Sequence, residues 1–271
     1  IASGYFFYVA VARGDGVKWL RRVLALYLFW MLIYLPFWLN EVHGLASLIK
    51  TLIFGYFHLW FMAGILVAGF GILLLRRITR AVAFTAEIPV LIAVAASCAM
   101  IGVTLQYLNL IWDGAIGVRK FANGIFMCFP FVTIGYLYGR QAMQQGLAML
   151  PPRRMVLTVA VVGAILIMTE GRLAQINWGN TTMLDIPLTA YIAAPALFLA
   201  TLGTEMPPPA LRLDPISAAI YFMHVIGLKL AVMLGVSHLA GLMLFAVGGP
   251  TLIALVLGRL GVPGFAKSAK G

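Results

Sequence analysis

Long apolar runs separated by short polar gaps repeat along this chain, and successive gaps alternate between rich and poor in Lys and Arg. Runs near the thickness of bilayer hydrocarbon, about 20 residues as helix, predict membrane spans. Nine segments fit that template, at about residues 1–12, 23–39, 58–75, 84–105, 124–139, 155–169, 181–203, 215–234 and 239–258. The stretch of about 40–57 is apolar from Gly44 to Phe57 but short, and predicts a re-entrant or interfacial helix. Pro36 lies in the second run, where the missing backbone N–H predicts a kink. Pro151-Pro152 and Pro207-Pro208-Pro209 punctuate polar gaps, as expected where helices stop.

The charge pattern orients these runs. Arg13, Lys18, Arg21 and Arg22 share one gap, and Arg76, Arg77 and Arg80 another. Arg140, Arg153 and Arg154, then Arg212, then Arg259, Lys267 and Lys270 complete the rich set. The intervening gaps hold only Lys50, Arg119, Lys120 and Arg172, while Lys229 falls inside a run. Because Lys and Arg are retained in cytoplasmic loops, the rich set is assigned to the cytoplasm. Alternation then leaves the C-terminus cytoplasmic, and a total of ten spans follows if one more precedes Ile1.

Composition sharpens this picture. At 63% hydrophobic and 10% charged, the chain has too little polar surface to enclose a soluble globule of 271 residues. An all-α polytopic bundle forming one domain over 1–271 is the expectation. The net charge of +11 reports orientation rather than nucleic-acid binding. Cys98 and Cys128 lie in apolar runs and read as packing residues, and no metal site is expected.

Polar groups at membrane depth are costly, so those retained are the candidates for chemistry. His58 opens a span at its outer end beside Tyr56, Trp60 and Phe61, where it serves either as general base and donor or as part of an aromatic belt. His224 sits near the middle of its run, and its depth demands a polar partner. Arg119 and Lys120 precede the span near Gly124 and can hold an anion or a developing oxyanion, or anchor the helix at headgroups. Glu170 and Arg172 follow an outer helix end and can neutralise one another. Asp185 is placed a turn into the following span, ahead of Pro187, where its carboxylate is either desolvated and raised in pKa or in contact with a backbone break. On the inner side Lys18, Arg21 and Arg22 form a cluster suited to phosphate, although the topology signal alone would also place them there.

Five short elements occur in one order. They are Ile1-Ala2-Ser3-Gly4-Tyr5-Phe6-Phe7, Lys18 to Arg22 with Tyr34 and Pro36, His58-Leu59-Trp60-Phe61-Met62, Arg119 through Asn123 and Gly124 to Pro130 and Gly135, and Ile216 to His224. Taken together they resemble the acyltransferase family 3 membrane proteins, which O-acylate sugars and glycans. The resemblance implies a ten-helix enzyme of the bacterial inner membrane. It would have no bound cofactor and would take an acyl group, usually acetyl, from cytoplasmic acyl-CoA to a hydroxyl of a carbohydrate or envelope glycan. The family's main catalytic His belongs to its first helix, upstream of the SGYF-like segment with which this chain begins. On the same resemblance His58 and Arg119 become donors at the outer site, with Glu170 and His224 ranked below them. Trp60 and Asn123 would then contact the sugar, and Arg21 and Arg22 the coenzyme phosphates. The competing class is a multi-pass transporter or flippase that uses His224 and Asp185 as a relay. A non-catalytic assembly partner is the third.

Overall fold

The computed structural model describes residues 1–82, 86–146, 151–179, 184–202, 204 and 213–262. Arg212, Lys267, Lys270 and the Pro207–Pro209 run lie outside the described residues. The chain is all-helical among the described residues, and its helices group into two compact units, Ile1–Thr204 and Glu205–Gly271. From sequence the expectation is one domain over 1–271.

Unit 1 contains α1 (Ala2–Ala12), α2 (Gly16–Ile33), α3 (Leu35–Trp38), α4 (Leu45–Phe54), α5 (Trp60–Ala81), α6 (Glu87–Ile111), α7 (Phe129–Gln145), α8 (Arg153–Trp178) and α9 (Ala190–Leu202). Unit 2 contains α10 (Leu213–Met233), α11 (Leu239–Met243) and α12 (Gly249–Arg259). Among the described residues five helical stretches are long and apolar enough to cross a membrane, namely Phe57–Ala81, Glu87–Ile111, Arg153–Trp178, Leu213–Met233 and Leu239–Arg259. A sixth arises if α2 and the Leu35–Glu41 piece, bent by 61°, count as one span. The nine expected from sequence are not confirmed by helix length and hydropathy among the described residues. The runs at 1–12 and 181–203 form helices of only 11 and 13 residues, and the run at 124–139 is divided between a π turn and α7.

Burial runs opposite to that of a soluble protein. In α8 only 17% of the apolar window is buried, and Met168, Ile165 and Val161 point outward. A helix this apolar and this bare is compatible with lipid as its solvent, not water. Polar backbone at the break in a helix is instead satisfied inside. The α2–α3 bend at Tyr34–Pro36 is closed by Trp38, whose Nε1 donates to the Met31 carbonyl at 2.9 Å, as an interrupted helix in hydrocarbon requires.

Neighbouring helices alternate in direction. Leu20 of α2 lies against Gly69 of α5, and Tyr34 faces His58 just before α5, so these two run antiparallel. Between α8 and α9 the same follows from Gly163 against Ala193 and Glu170 against Thr189. By contrast α1 and α7 are parallel, with Gly4 against Val132 and Gly139 against Tyr5. These relations match the up-and-down order expected from the charge pattern. In unit 2, α10 packs against the π turn Leu244–Gly248 through Gly227 and Phe245.

Candidate functional site

Helix α5 begins at Trp60 and ends beyond Arg76, Arg77 and Arg80, so its aromatic and basic ends lie about 30 Å apart along 22 residues. At the aromatic end the chain enters through a tight turn. Gly55 has φ +78°, and a Cβ there would meet the Trp60 backbone nitrogen at 2.6 Å. Phe57 has φ 46°, a left-handed conformation that side chains adopt only at a cost. The turn presents His58 to one side and Trp60 to the other.

On the Trp60 side lies a cavity of about 420 Å³. It is walled by α4 and α5, by the turn Val118–Lys120, by the π turn Gly124–Cys128 and by the connection ahead of α9. Trp60, Arg119, Asn123 and Asp185 all line it, and Arg119 and Asp185 are the only ionisable groups among its described lining residues. Gly64 and Gly124 allow α5 and the π turn to touch at its floor, since a Cβ on Gly124 would lie 3.1 Å from the Gly64 Cα.

Asn123 holds the arginine in place. Its Oδ1 accepts from the Ile125 and Phe126 amides at 2.9 and 3.0 Å, and its Nδ2 donates to the Arg119 and Lys120 carbonyls at 3.2 and 3.1 Å. That occupies the whole hydrogen-bonding capacity of the amide. Asn123 therefore lines the cavity as a brace that joins the Arg119 turn to the start of the π helix.

The other wall rests on two clamps. Gln106, buried near the end of α6, donates from Nε2 to the Ile186 carbonyl at 2.9 Å and accepts from the Ile186 amide at 2.7 Å. Glu170 of α8 accepts from the Leu188 amide at 2.6 Å, from the Thr189 amide at 2.9 Å, and from the hydroxyls of Thr189 and Tyr107. The segment 184–189 is thereby fixed, with Asp185 in the cavity wall. Because α9 starts only at Ala190, Asp185 lies in a connection and not a turn inside a span. Its half-buried setting pushes its carboxyl above the usual aspartate range through desolvation.

The remaining sequence candidates lie elsewhere. His58 packs edge-on against Tyr34 with ring centroids 5.3 Å apart, and neighbours Phe57. It supports the turn from behind and is not among the cavity's lining residues. Glu170 serves the clamp described above, engaging α6 and the start of α9 in place of Arg172. His224 belongs to unit 2, where Nδ1 lies 3.0 and 2.8 Å from the Ile220 and Tyr221 carbonyls of its own helix. Carbonyls only accept, so this nitrogen carries the proton. Arg21 and Arg22 are exposed on α2, toward the basic end of α5. At that end Glu87 holds Arg76 at 2.7 Å and Arg80 at 3.8 Å, and the Arg76 guanidinium stands 5.8 Å from the Tyr136 ring centroid.

A larger cavity, about 530 Å³, runs between α6, α7 and the start of α9. Its walls include Ala95, Ala99, Val103, Ile134 and Leu137, with the hydroxyls of Thr104, Thr133 and Tyr191. Its described lining residues include no carboxylate, imidazole or cation. The smaller cavity is the candidate site. Of the residues singled out from sequence, Trp60, Arg119 and Asn123 line this cavity, Asp185 lines it from a connection rather than from a span, and Gln106 was passed over. A lone amide in an apolar run was the available signal for the latter. Comparisons with protein families, with curated proteins and with solved structures returned no match.

Proposed function

We propose that the protein is an integral-membrane O-acyltransferase. In this reading it moves an acyl group, acetyl in the simplest case, from cytoplasmic acyl-CoA to a hydroxyl of a carbohydrate or envelope glycan at the outer face of a bacterial inner membrane, with its C-terminus in the cytoplasm. The observation that supports it best is the pairing of ends on α5. A cavity with one cation, one carboxylate and a tryptophan lies at one end, and the basic groups lie at the other. Trp60 offers the flat apolar face on which a sugar ring can rest, and Arg119 a charge for the oxyanion of the tetrahedral intermediate. His58 holds the turn that sets Trp60. Arg21 and Arg22, exposed on the basic side, are the proposed contacts of the coenzyme phosphates.

Membranes containing the protein, given acetyl-CoA labelled in the acetyl group, should place alkali-labile label in envelope glycan. Arg119→Ala should lower that transfer by about 100-fold, the cost of losing one oxyanion donor, while the amount of protein in the membrane stays unchanged. Transfer at the wild-type rate by Arg119→Ala would remove the cavity from the reaction. No labelled glycan with the wild type would favour the transporter or flippase class.

A further inference from the structure

The larger cavity is a slot that lies along two helices. On α6 its wall is the stripe Ile92, Ala95, Ala99 and Val103, ending at Thr104, and from Ile92 to Thr104 the helix rises about 18 Å. Pro130, Thr133, Ile134 and Leu137 of α7 form the facing stripe. A volume of about 530 Å³ over that length gives a mean cross-section of about 30 Å², room for one extended alkyl chain and not for two. Ile92 and Met100 at its rim are exposed while Ala95 is buried, so the slot opens sideways, toward the hydrocarbon that surrounds a membrane bundle. Its floor carries one group that hydrocarbon cannot satisfy. Thr133 is 1% exposed, and its Oγ1 has no hydrogen-bond partner among the described residues. Thr79, Thr169 and Thr251 each donate to the carbonyl four residues back, the usual resort of a helical threonine. Thr133 does not, and it stands in the slot wall. A buried hydroxyl left without a partner is costly, and a ligand that brings an acceptor relieves the cost.

Gly102 lies against Phe126, and Arg76, paired with Glu87, stands over Tyr136, so α6 and α7 run antiparallel. Both stripes therefore end near the same basic layer. Arg140 follows Leu137 by one helical turn, continues the spacing of Pro130, Thr133 and Leu137, and is half-buried. About 10 Å of helix separates Thr133 from Arg140, and the long stem of the arginine covers part of that gap. We propose that the slot binds one acyl chain of an anionic glycerophospholipid, drawn from the leaflet at the basic end of the bundle. The Thr133 hydroxyl donates to the ester carbonyl of that chain, and Arg140 pairs with the phosphate and the anionic headgroup. The ester separates this ligand from other anionic lipids, because a polyprenyl phosphate has the charge for Arg140 but no carbonyl for Thr133. The assignment stands independently of the acyltransferase reading.

The test uses the full chain reconstituted in phosphatidylcholine vesicles, with phosphatidylglycerol bearing a photoactivatable diazirine partway along one acyl chain as the probe. Crosslinks should fall on peptides covering 92–104 and 130–137. Unlabelled phosphatidylglycerol should suppress them at a concentration at least about tenfold lower than phosphatidylethanolamine or a polyprenyl phosphate needs. Thr133→Val keeps the side-chain shape and removes the hydroxyl. It should weaken competition by phosphatidylglycerol roughly fivefold to tenfold, the worth of one hydrogen bond. The melting temperature of lipid-free Thr133→Val in detergent should equal or exceed that of the wild type, because a group without a partner has been removed. Arg140→Gln should abolish the preference for phosphatidylglycerol over phosphatidylethanolamine, and Ala99→Phe, which fills the slot, should eliminate the crosslinks. Crosslinks that map elsewhere, or equal suppression by the two phospholipids on the wild type, overturn the proposal. A polyprenyl phosphate that competes better than phosphatidylglycerol assigns the slot to a prenyl chain and overturns it as well. Should Ala99→Phe fail to accumulate, Thr133→Val decides, and wild-type affinity in that variant refutes the ester contact and the proposal with it.

Discussion

Replacing Gln106 by leucine is expected to lower stability by about 3 kcal/mol, at roughly 1–3 kcal/mol for each buried backbone group left without a partner. The substitution keeps most of the side-chain volume, so little cavity forms and the loss isolates the two hydrogen bonds to Ile186. Both Gln106 and Ile186 are 1% exposed, so water cannot take over the freed amide and carbonyl. Unfolding in detergent, followed by circular dichroism, measures the change. Glycan labelling should fall as well, because the cavity wall at Asp185 loses its anchor. Asp185→Asn makes the contrast. The carboxyl's pKa is raised in the folded state, so the native protein holds the proton more tightly, and stability falls as pH rises through the window above the unfolded pKa. Removing the charge at neutral pH should therefore leave the melting temperature unchanged or higher. Gln106→Leu that unfolds like the wild type would show that the clamp carries no weight.

Gly4→Ala is expected to destabilise the α1–α7 contact by about 3 kcal/mol, the upper end for overpacking. A Cβ at Gly4 would stand 1.9 Å from the Val132 carbonyl oxygen and 2.9 Å from the Tyr136 amide nitrogen. Both are backbone atoms of a helix and cannot swing aside, so the two helices must separate. Gly135 and Gly139 face α1 in the same way, forming the small-residue seam that lets membrane helices approach. Gly4→Leu should therefore prevent folded protein from accumulating. Gly171→Ala is the control. A Cβ there meets nothing within 4 Å, and a half-buried helical position with open space beside it should gain roughly 0.5–1 kcal/mol from the better helix former. Equal melting temperatures for Gly4→Ala and Gly171→Ala would show that the parallel pairing is wrong.

The spans of α5, α6, α8 and α10 were legible because a single long apolar run maps onto each. Hydropathy measures a run and not the helix inside it, as at 124–139 and 181–203. In the second case Pro187 and the clamps from Gln106 and Glu170 keep 184–189 out of the helix, so α9 begins at Ala190. That delay moved Asp185 from a span to the cavity wall. The kink near Pro36 was readable from the missing donor. The indole of Trp38 that closes the bend was not, because a side chain's partner is chosen by geometry. For His224, the polar partners demanded by its depth include the carbonyls of its own helix.

By itself the sequence determined that this chain is helical and built for lipid, and its alternating charges gave the order of helix directions. Both properties are local or additive. Helicity and hydropathy sum over neighbouring residues, and the retention of Lys and Arg acts loop by loop. Only the tertiary structure decided which polar groups meet. Arg119 and Asp185, far apart in the chain, line one cavity, and Gln106 reaches Ile186 across 80 positions. Such encounters depend on how closely glycines let helices approach and on where helices stop, and no periodicity in the sequence encodes the outcome.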